Sequence, residues 1–327
     1  MKIIGIGNAL VDVLAHLEDD SVLKELNLER GGMTLIDDAR HGQISRLLDS
    51  LNPSMSTGGS AGNTIKALAN LGMEPGFVGR IGQDKMGRFF AENCRESGIH
   101  ATLLTCSESS GVANTFISKD HERTFATHLG AAAGMRPEDV KAEWFEGYDL
   151  LYLEGYLVQN HELIERVARL AKEAGLQVCI DMASYNVVRD NLEFMRHLVK
   201  DYVDIVFANE EESEAFSSGL SVEAGMKELS EATRVAVVKL GGKGSCVMTN
   251  GKREQVETRK VQVVDTTGAG DFFAAGFLYA YSQGASMEAC LKCGSLVAGQ
   301  VIQVVGTTLS AETWEKLNSD LKVELCN

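Results

Sequence analysis

The chain has little proline, few aromatic residues and no long apolar run. Three prolines occur among 327 residues, and aromatic residues make up 6% of the total. With so little proline, we expect no proline-rich linker between separately folded units. No apolar run approaches the roughly 20 residues of a membrane-spanning helix, so we expect no membrane contact. The N-terminal segment Met1–Leu10 lacks the cleavage pattern of a signal peptide, and it is predicted to contain the first β-strand.

Positive charge is also scarce. Lysine and arginine number 31 against 46 aspartate and glutamate residues, which gives a formal net charge of −15. Nucleic-acid backbones are bound by clustered basic residues, so we expect no nucleic-acid partner. The net charge does not exclude a small anionic ligand, because local groups can bind such a ligand against the overall field.

The seven cysteines are odd in number and scattered, which excludes a disulfide framework of the secreted type. Free cysteines favour a reducing compartment, and we therefore predict a cytoplasmic protein. Cys290 and Cys293 form a closely spaced pair, but no second pair or histidine at ligand spacing lies near them in the sequence. Residues three apart share one face of a helix, so buried thiols are the better interpretation.

Segments typical of strands alternate with segments typical of helices along most of the chain. Apolar, β-branched runs such as Gln177–Ile180 and Val235–Leu240 alternate with amphipathic runs such as His161–Ala174. This alternation predicts an α/β fold with a mainly parallel sheet that is covered by helices on both faces. The length and the absence of a linker predict a single domain over residues 1–327.

Two stretches, at about 12–37 and 99–129, interrupt the alternation with extended segments and no clear helix. In the second stretch, Val112–Ile117 and Arg123–Thr127 flank the turn-like Ser118–Asp120, which predicts a β-hairpin. Together the stretches predict a small antiparallel sheet, inserted in the α/β core, that covers a site as a lid. Because an edge of this sheet could pair with a second subunit, a monomer and a lid-mediated homodimer are both open.

The most informative segment is Asp265–Asp271, with the sequence Asp-Thr-Thr-Gly-Ala-Gly-Asp. A predicted strand, Val261–Val264, precedes it, and a predicted helix, Phe272–Ser282, follows it. The two glycines allow a tight turn whose N–H groups point into one space, and the helix start adds its dipole, so we predict an anion site. Asp271 beside that site would suit a general base that takes a proton from an attacking hydroxyl. The alternative is that Asp271 only caps the helix.

Two signatures in the sequence resemble those of the ribokinase-like, or pfkB, family of sugar and nucleoside kinases. Asp265–Asp271 is similar to the C-terminal signature of this family. Gly58–Thr64, with the sequence Gly-Gly-Ser-Ala-Gly-Asn-Thr, is similar to the N-terminal signature, and Gly79–Gly87 continues it. The matches extend over nearly the whole chain, so the resemblance implies a three-layer α/β/α core with a small β-sheet lid.

The resemblance implies that Asp271 is a catalytic base. It would deprotonate a primary hydroxyl, which then attacks the γ-phosphate of ATP. The backbone N–H groups of Gly268, Ala269 and Gly270 would form an anion hole for the charge that develops during transfer.

On the nucleotide side, the resemblance implies roles for two further motifs. Asn209 and Glu212 would help to organise Mg²⁺ and phosphate, with Glu212 acting on the metal through water; the alternative is an ordinary acidic first turn of a helix. Gly241 and Gly244 match a nucleotide-binding turn, whereas Lys239 stands where threonine is more usual and could contact phosphate instead. The alternative for this motif is a plain hairpin turn.

On the acceptor side, the resemblance implies that Asp12 holds sugar hydroxyls, since a carboxylate can accept two hydrogen bonds from a vicinal diol. Gly59 and Asn63 match signature residues that line the sugar. Ser60 departs from the lysine found at this position in ribokinases proper.

Four further residues carry less direct predictions. Arg123 lies in the predicted lid, where it could clamp phosphates, although an ordinary surface arginine is an equal alternative. Glu154 ends a predicted strand and is a candidate for substrate contact. Asp265 and Thr267 could join a monovalent-cation site such as a K⁺ site, as in several relatives of this family.

The acceptor is predicted from several motifs that together look most like the adenosine-kinase branch of the family. They include Gly7–Asp12, Glu122–Thr124, Leu129–Ala132 and Leu153–Leu157. We therefore expect an ATP- and Mg²⁺-dependent kinase for the 5′-hydroxyl of adenosine. A kinase for a free sugar such as ribose or fructose is the first alternative, and a protein that binds a sugar or nucleoside without turnover is the second. A dinucleotide-dependent oxidoreductase is weaker, because Leu10 occupies the third glycine position of the Gly5-x-Gly7 fingerprint.

Overall fold

Buried apolar runs form the strands at the centre of the fold. The computed structural model describes residues 1–120 and 122–326. Within Leu150–Glu154 every residue is buried, and Val235–Lys239 is buried up to its last residue. Strands of this kind are covered on both faces, as parallel sheets in α/β folds require.

The described residues contain fourteen strands. In chain order they are β1 (Ile3–Ile6), β2 (Leu10–His16), β3 (Met33–Leu35), β4 (Ser54–Gly58), β5 (Gly76–Gly82), β6 (His100–Cys106), β7 (Gly111–Ile117), β8 (Arg123–His128), β9 (Leu150–Glu154), β10 (Gln177–Asp181), β11 (Ile205–Asn209), β12 (Val235–Lys239), β13 (Ser245–Thr249) and β14 (Lys252–Val256).

The same part of the chain contains twelve α-helices. They are α1 (Ser21–Glu25), α2 (Asp38–Asp49), α3 (Ser60–Asn70), α4 (Lys85–Glu96), α5 (His161–Glu173), α6 (Tyr185–Asp190), α7 (Leu192–Tyr202), α8 (Glu210–Phe216), α9 (Val222–Ala232), α10 (Ala269–Ser282), α11 (Met287–Val301) and α12 (Ala311–Cys326). Short 3₁₀ turns cover Gly130–Gly134, Pro137–Asp139, Ala142–Phe145, Gly155–Gln159 and Gly241–Lys243. Across residues 1–120 and 122–326, no helix combines the length and the apolar character needed to cross a membrane.

The large sheet has the strand order β14-β13-β12-β11-β10-β9-β1-β5-β6. The strands from β12 to β6 in this order run parallel, and β13 and β14 add an antiparallel hairpin at one edge. Alternate residues of a strand face opposite sides of the sheet. Accordingly, Tyr152 joins the apolar cluster beneath α3, α4, α10, α11 and α12, whereas Leu151 joins the cluster beneath α5 to α9. The predicted α/β/α layering with a mainly parallel sheet is confirmed.

A second, five-stranded sheet has the order β3-β8-β7-β2-β4. The predicted hairpin is present, since β7 and β8 pair antiparallel from Val112↔His128 to Ile117↔Arg123. The sheet is mixed rather than antiparallel, because β2 pairs with β7, and β3 with β8, in the parallel sense. Two boundaries differ from the expected 12–37 and 99–129: β6 joins the large sheet, and β4 joins the small one. The β5-α4-β6 crossover accounts for the first difference, because it returns β6 beside β5.

Other differences lie outside the small sheet. The strand expected at Val261–Val264 is absent from the described residues, because this stretch is irregular and is held at its end by the Val264 N–H bond to Ile302 O, at 2.8 Å. Helix α1 lies within a stretch that was expected to lack a helix.

Candidate active site

Four neighbouring parallel strands end in polar residues at one edge of the large sheet. These residues are Glu154, Asp181, Asn209 and Lys239, which end β9, β10, β11 and β12. Asp181 lies beside Glu154, and Asn209 lies beside Lys239, in the strand register. In open α/β sheets, ligands bind outside the carboxyl ends of the strands, so this edge is where a site is expected.

A cavity of about 1060 Å³ opens at this edge. Its volume lies at the top of the range of roughly 300–1,000 Å³ for small-molecule sites, which leaves room for two ligands at once. Most of the residues predicted from the sequence line it: Asp12, Gly59, Asn63, Asn209, Glu212, Lys239, Gly241, Gly244, Thr267, Gly268, Ala269, Gly270 and Asp271. Chain segments far apart in the sequence therefore meet at one place.

The glycine-rich loop turns sharply into α10 at Gly268. This residue has φ +74°, in the left-handed region, and a Cβ there would lie 2.7 Å from Thr307 Cγ2. The N–H groups of Gly268 and Gly270 have no partner among the residues that the structure describes. The Ala269 N–H, in contrast, donates to Thr266 O at 3.1 Å. Two of the three N–H groups assigned to the anion hole are therefore available to a ligand, and the third is already bonded.

Asp271 lies in the first turn of α10 and faces the start of α3. Its Oδ1 accepts a hydrogen bond from Ser60 Oγ at 2.7 Å, and its Oδ2 accepts one from Asn63 Nδ2 at 2.9 Å. The carboxylate accepts no backbone N–H bond from α10, so it does not cap this helix. Burial raises the pKa of Asp271 to about 7, and the Asn63 and Ser60 hydrogen bonds oppose this rise. A carboxylate with this pKa can accept a proton near neutral pH.

Lys239 is the central cation of this edge. Its Nζ donates to Asp181 Oδ2 at 2.7 Å, and both side chains are largely buried. Burial alone would lower the pKa of Lys239. The neighbouring Asp181 and Glu212 carboxylates stabilise its positive charge more strongly, so the pKa of Lys239 is raised. The same Nζ lies 3.1 Å from where a Cβ on Gly270 would stand, so it reaches the glycine loop.

Asn209 and Glu212 form a reciprocal capping box at the start of α8. Glu212 Oε2 accepts the Asn209 N–H at 2.8 Å, and Asn209 Oδ1 accepts the Glu212 N–H at 2.8 Å. The ordinary acidic first turn, which is the alternative to a metal role, is present as well, since Glu210, Glu211 and Glu212 all lie in the first turn of α8. Asn209 and Glu212 nevertheless also line the cavity. Burial raises the pKa of Glu212, and the Lys239 charge opposes this rise.

Asp12 enters the cavity from β2. Its carboxylate fills the space beside Gly58 that a Cβ would otherwise occupy. Burial raises its pKa to about 7, and the Arg123 and Lys66 charges oppose this rise. No side chain or backbone N–H among residues 1–120 and 122–326 donates a hydrogen bond to this carboxylate, so its oxygens can accept ligand hydroxyls.

Two residues predicted to contact substrate do not line the cavity. Glu154 lies behind its wall, where Oε1 accepts from Asn8 Nδ2 at 2.6 Å and Oε2 accepts from the Ala61 N–H at 3.0 Å. It therefore ties the β1–β2 loop to the start of α3. Arg123 instead contacts Asp265 and Thr267 of the glycine loop. Asp265 is likewise outside the cavity lining.

Comparison with known proteins identifies the chain. The family model described as "pfkB family carbohydrate kinase" matches residues 43–314. The chain belongs to the pfkB family. It is therefore a kinase of the carbohydrate and nucleoside class, which transfers a phosphoryl group to an alcohol, and use of ATP follows from the family.

Individual relatives agree with this membership. A probable sugar kinase from Rhizobium etli is 31% identical, with a TM-score of 0.86 and 98% of both chains covered. An adenosine kinase from Sinorhizobium meliloti is 32% identical, with a TM-score of 0.85 and 98% of both chains covered. The adenosine kinase of Saccharomyces cerevisiae is 25% identical, and the match covers 94% of this chain and 96% of the yeast enzyme. The ribokinase-like fold predicted from the signatures is thereby confirmed.

Three residues of this pfkB-family site were not assigned a role from the sequence. Ser60 was seen only as a departure from lysine, but its hydroxyl bonds the Asp271 carboxylate. Asp181 pairs with Lys239, and Tyr156 lines the cavity with a partly exposed ring. For Asp181, a polar residue at the end of a buried strand was an available signal. The Ser60 contact joins residues 211 positions apart and had no local signal.

Proposed function

We propose that the protein is an ATP- and Mg²⁺-dependent kinase that phosphorylates the 5′-hydroxyl of adenosine. One observation carries the chemical part of this proposal: a partly buried carboxylate, Asp271, directly follows a loop whose Gly268 and Gly270 N–H groups have no partner among the described residues, and all three residues line an open cavity. A base and anion donors side by side are what phosphoryl transfer to a hydroxyl requires.

In the proposed mechanism, Asp271 takes the proton of the acceptor hydroxyl as its oxygen attacks the γ-phosphorus of ATP. The bond to the β,γ-bridging oxygen breaks, and ADP leaves. The Gly268 and Gly270 N–H groups stabilise negative charge on the transferred group. Ser60 and Asn63 hold the Asp271 carboxylate in place, which reduces the reorganisation needed during the reaction.

The acceptor would lie between β2 and the start of α3. Asp12 offers two unpaired carboxylate oxygens to ribose hydroxyls, and Gly59 and Asn63 line the same wall. Tyr156 also lines the cavity and is 39% exposed, so its ring offers a face on which a base can stack. Stacking on an aromatic ring contributes roughly 1–3 kcal/mol per base in nucleic-acid complexes. This aromatic face favours a nucleoside over a free sugar.

ATP would occupy the other part of the cavity. Gly241 and Gly244, both with positive φ, form the turn after β12, and Asn209 and Lys239 stand beside it. Ile302 and Val261 supply apolar surface for the adenine. We propose that Lys239 contacts the phosphates, which would place a fixed positive charge where a threonine hydroxyl is more usual in the family.

The residues present fit a Mg²⁺ ion that arrives with the nucleotide. Within residues 1–120 and 122–326, no group of three or more potential ligand side chains forms a dedicated metal cage. Glu212 and Asp181 line the cavity as buried carboxylates, and Mg²⁺ commonly uses one or two carboxylates with waters and phosphates. When bound, the ion would neutralise phosphate charge. Glu212 would orient its waters, and Asn209 fixes the orientation of Glu212.

We also propose that the chain acts as one domain, with the small sheet as a lid over the acceptor and with a cytoplasmic location. Asp12 lies on β2 of that sheet and lines the cavity, so movement of the sheet would move an acceptor ligand. Closure over the site would exclude water and suppress ATP hydrolysis. Pairing of two subunits through this sheet is a further prediction, alongside a monomer.

A kinase for a free sugar is the second candidate. The 31% identical Rhizobium etli relative is a probable sugar kinase, and Asp12 would bind sugar hydroxyls equally well in either case. A protein that binds without turnover is disfavoured, because such a protein has no need of Asp271 held by two hydrogen bonds beside anion donors.

An acceptor screen tests the proposal. The purified protein is assayed for ADP release with ATP, Mg²⁺ and, in turn, adenosine, inosine, guanosine, ribose and fructose. We expect the highest kcat/KM with adenosine. A higher kcat/KM with ribose or fructose would establish the second candidate, and release of ADP that no acceptor increases would contradict both.

A further inference from the structure

Arg123 connects the small sheet to the glycine loop. It begins β8, where it pairs with Ile117 of β7, and its side chain is 11% exposed. Nη1 donates to Thr267 Oγ1 at 2.7 Å. Nη2 lies 2.6 Å from Asp265 Oδ2, although no N–H of this nitrogen points at that oxygen. The second contact is therefore an ion pair without a hydrogen bond. The guanidinium thus contacts two residues of the loop, Asp265 and Thr267.

The Asp265 carboxylate is fully engaged at this place. Its Oδ1 accepts the Thr267 N–H at 3.0 Å, and its Oδ2 accepts the Gly306 N–H at 2.7 Å. With the Arg123 contact, both oxygens have protein partners, and the side chain is 6% exposed. The carboxylate thus joins the loop, the segment after α11 and the small sheet at one buried point.

Asp265 and Thr267 are the residues for which a monovalent cation was predicted. A K⁺ ion there would need the carboxylate and the threonine oxygen that Arg123 contacts. Two positive charges a few ångströms apart repel strongly in a buried setting, because the effective dielectric constant is low. The geometry does not fit a second cation beside the guanidinium.

We propose that Arg123 is the resident cation of this loop, and that it positions the loop without the help of K⁺. Gly268 directly follows Thr267 and Gly270 lies three residues after it, so a displaced Thr267 would displace the N–H groups of this loop. Arg123 does not line the cavity and is a positioning residue, not a catalytic one. The kinetic side of this proposal rests on the proposed kinase function, whereas the ion preference of the folded protein does not.

The first test compares salts at equal ionic strength. For the wild-type protein, kcat and the KM for ATP are measured in KCl and in tetramethylammonium chloride. We expect the two salts to agree, with no effect of the size of about fivefold or more that is typical of coupled sites. Activation of the wild-type protein by K⁺ above that size would overturn the proposal.

The second test removes the guanidinium. Arg123→Ala is expected to lower kcat at least about tenfold, since small misplacements of a reacting group cost up to about 10²-fold. Part of the loss should be recovered by K⁺ or by added guanidinium ion, which can enter the vacated place. Arg30→Ala is the matched control, because Arg30 is also an arginine near the small sheet but pairs with the exposed Asp20 and Asp120. An Arg123→Ala protein with wild-type kcat, or with a loss that neither cation reduces, would contradict the proposal.

The third test does not depend on activity. Melting temperatures are measured in both salts for the wild-type protein, Arg123→Ala and Arg123→Lys. We expect a K⁺-specific rise only for Arg123→Ala, because a cation that binds the folded state stabilises it. If Arg123→Ala does not fold, Arg123→Lys decides, since its retained charge should leave it indifferent to K⁺. A K⁺-specific rise for the wild-type protein or for Arg123→Lys would refute the proposal even if no acceptor were phosphorylated.

Discussion

Replacement of Asp271 by asparagine is the sharpest perturbation of this site. The change removes the proposed base and keeps the size of the side chain. The amide oxygen can accept from Asn63, and the amide nitrogen can donate to Ser60, whose hydroxyl accepts as well as donates. Both hydrogen bonds can therefore persist, and we expect the folded geometry to be kept.

The expected loss of turnover follows from the role of a general base. Such a base contributes about 10²- to 10⁴-fold, which corresponds to about 3–5 kcal/mol of activation free energy. We expect kcat of Asp271→Asn to fall by this factor with adenosine in an ADP-release assay. The dissociation constant for ATP, measured by calorimetric titration, should change little. A variant that retains near wild-type kcat would refute the assignment of Asp271 as the base.

The same variant has a predicted stability signature. Burial raises the pKa of Asp271 to about 7 in the folded protein, whereas the ordinary value, which applies to the unfolded chain, is 3.8. Between these values the folded state binds more protons than the unfolded state, so the wild-type protein loses stability as the pH rises through this window. Asp271→Asn should therefore be more stable than wild type in denaturant unfolding at pH 8, with the difference shrinking towards pH 4. Equal stabilities at pH 8 would contradict this electrostatic account.

Three further predictions follow from the geometry. First, kcat/KM should fall below about pH 7 with a slope that approaches about tenfold per pH unit, because the base must be ionised. An acid limb centred near pH 4 would show that burial does not raise the pKa of Asp271. Second, Glu154→Gln should lower the free energy of unfolding by about 1–3 kcal/mol, because the new amide nitrogen would face the N–H donor of Asn8 or Ala61. The KM for adenosine should change little. A large change in this KM with unchanged stability would restore a substrate role for Glu154. Third, Gly268→Ala should lower the free energy of unfolding by about 1–2 kcal/mol for the left-handed backbone alone, and by more because its Cβ would clash with Thr307. Gly284→Ala is the control, since Gly284 has the same φ of +74° and no atom within 4 Å of its Cβ position. In denaturant unfolding it should show the backbone cost only.

The sequence was most informative where function and local structure share one short segment. The tight turn at Gly268 and the position of Asp271 in the first turn of α10 could both be predicted from Asp265–Asp271 and the helical segment after it, because glycine content and helix-forming sequence are local properties. The strand predicted before the loop, at Val261–Val264, was wrong. The parallel sheet was also predictable, since runs such as Val235–Lys239 are apolar on both faces.

Contacts between distant segments were not predictable. Ser60 and Asp271 are 211 residues apart, and Arg123 and Thr267 are 144 apart, so only the packing of α3, α10 and β8 brings them together. Glu154 is a second example of contacts between distant segments that the sequence does not reveal. The end of a strand is the right place for a ligand contact, but the neighbouring Asn8 and the Ala61 N–H occupy both of its oxygens.

The most direct test of the account is to identify the phosphorylated product. Purified protein is incubated with ATP, Mg²⁺ and adenosine, and the mixture is followed by phosphorus NMR and mass spectrometry, with Asp271→Asn as the control. The account predicts AMP and ADP in equal amounts from the wild-type protein, and at least about 10²-fold slower formation from the variant. Release of inorganic phosphate without AMP, or AMP formation at the same rate by the variant, would contradict it.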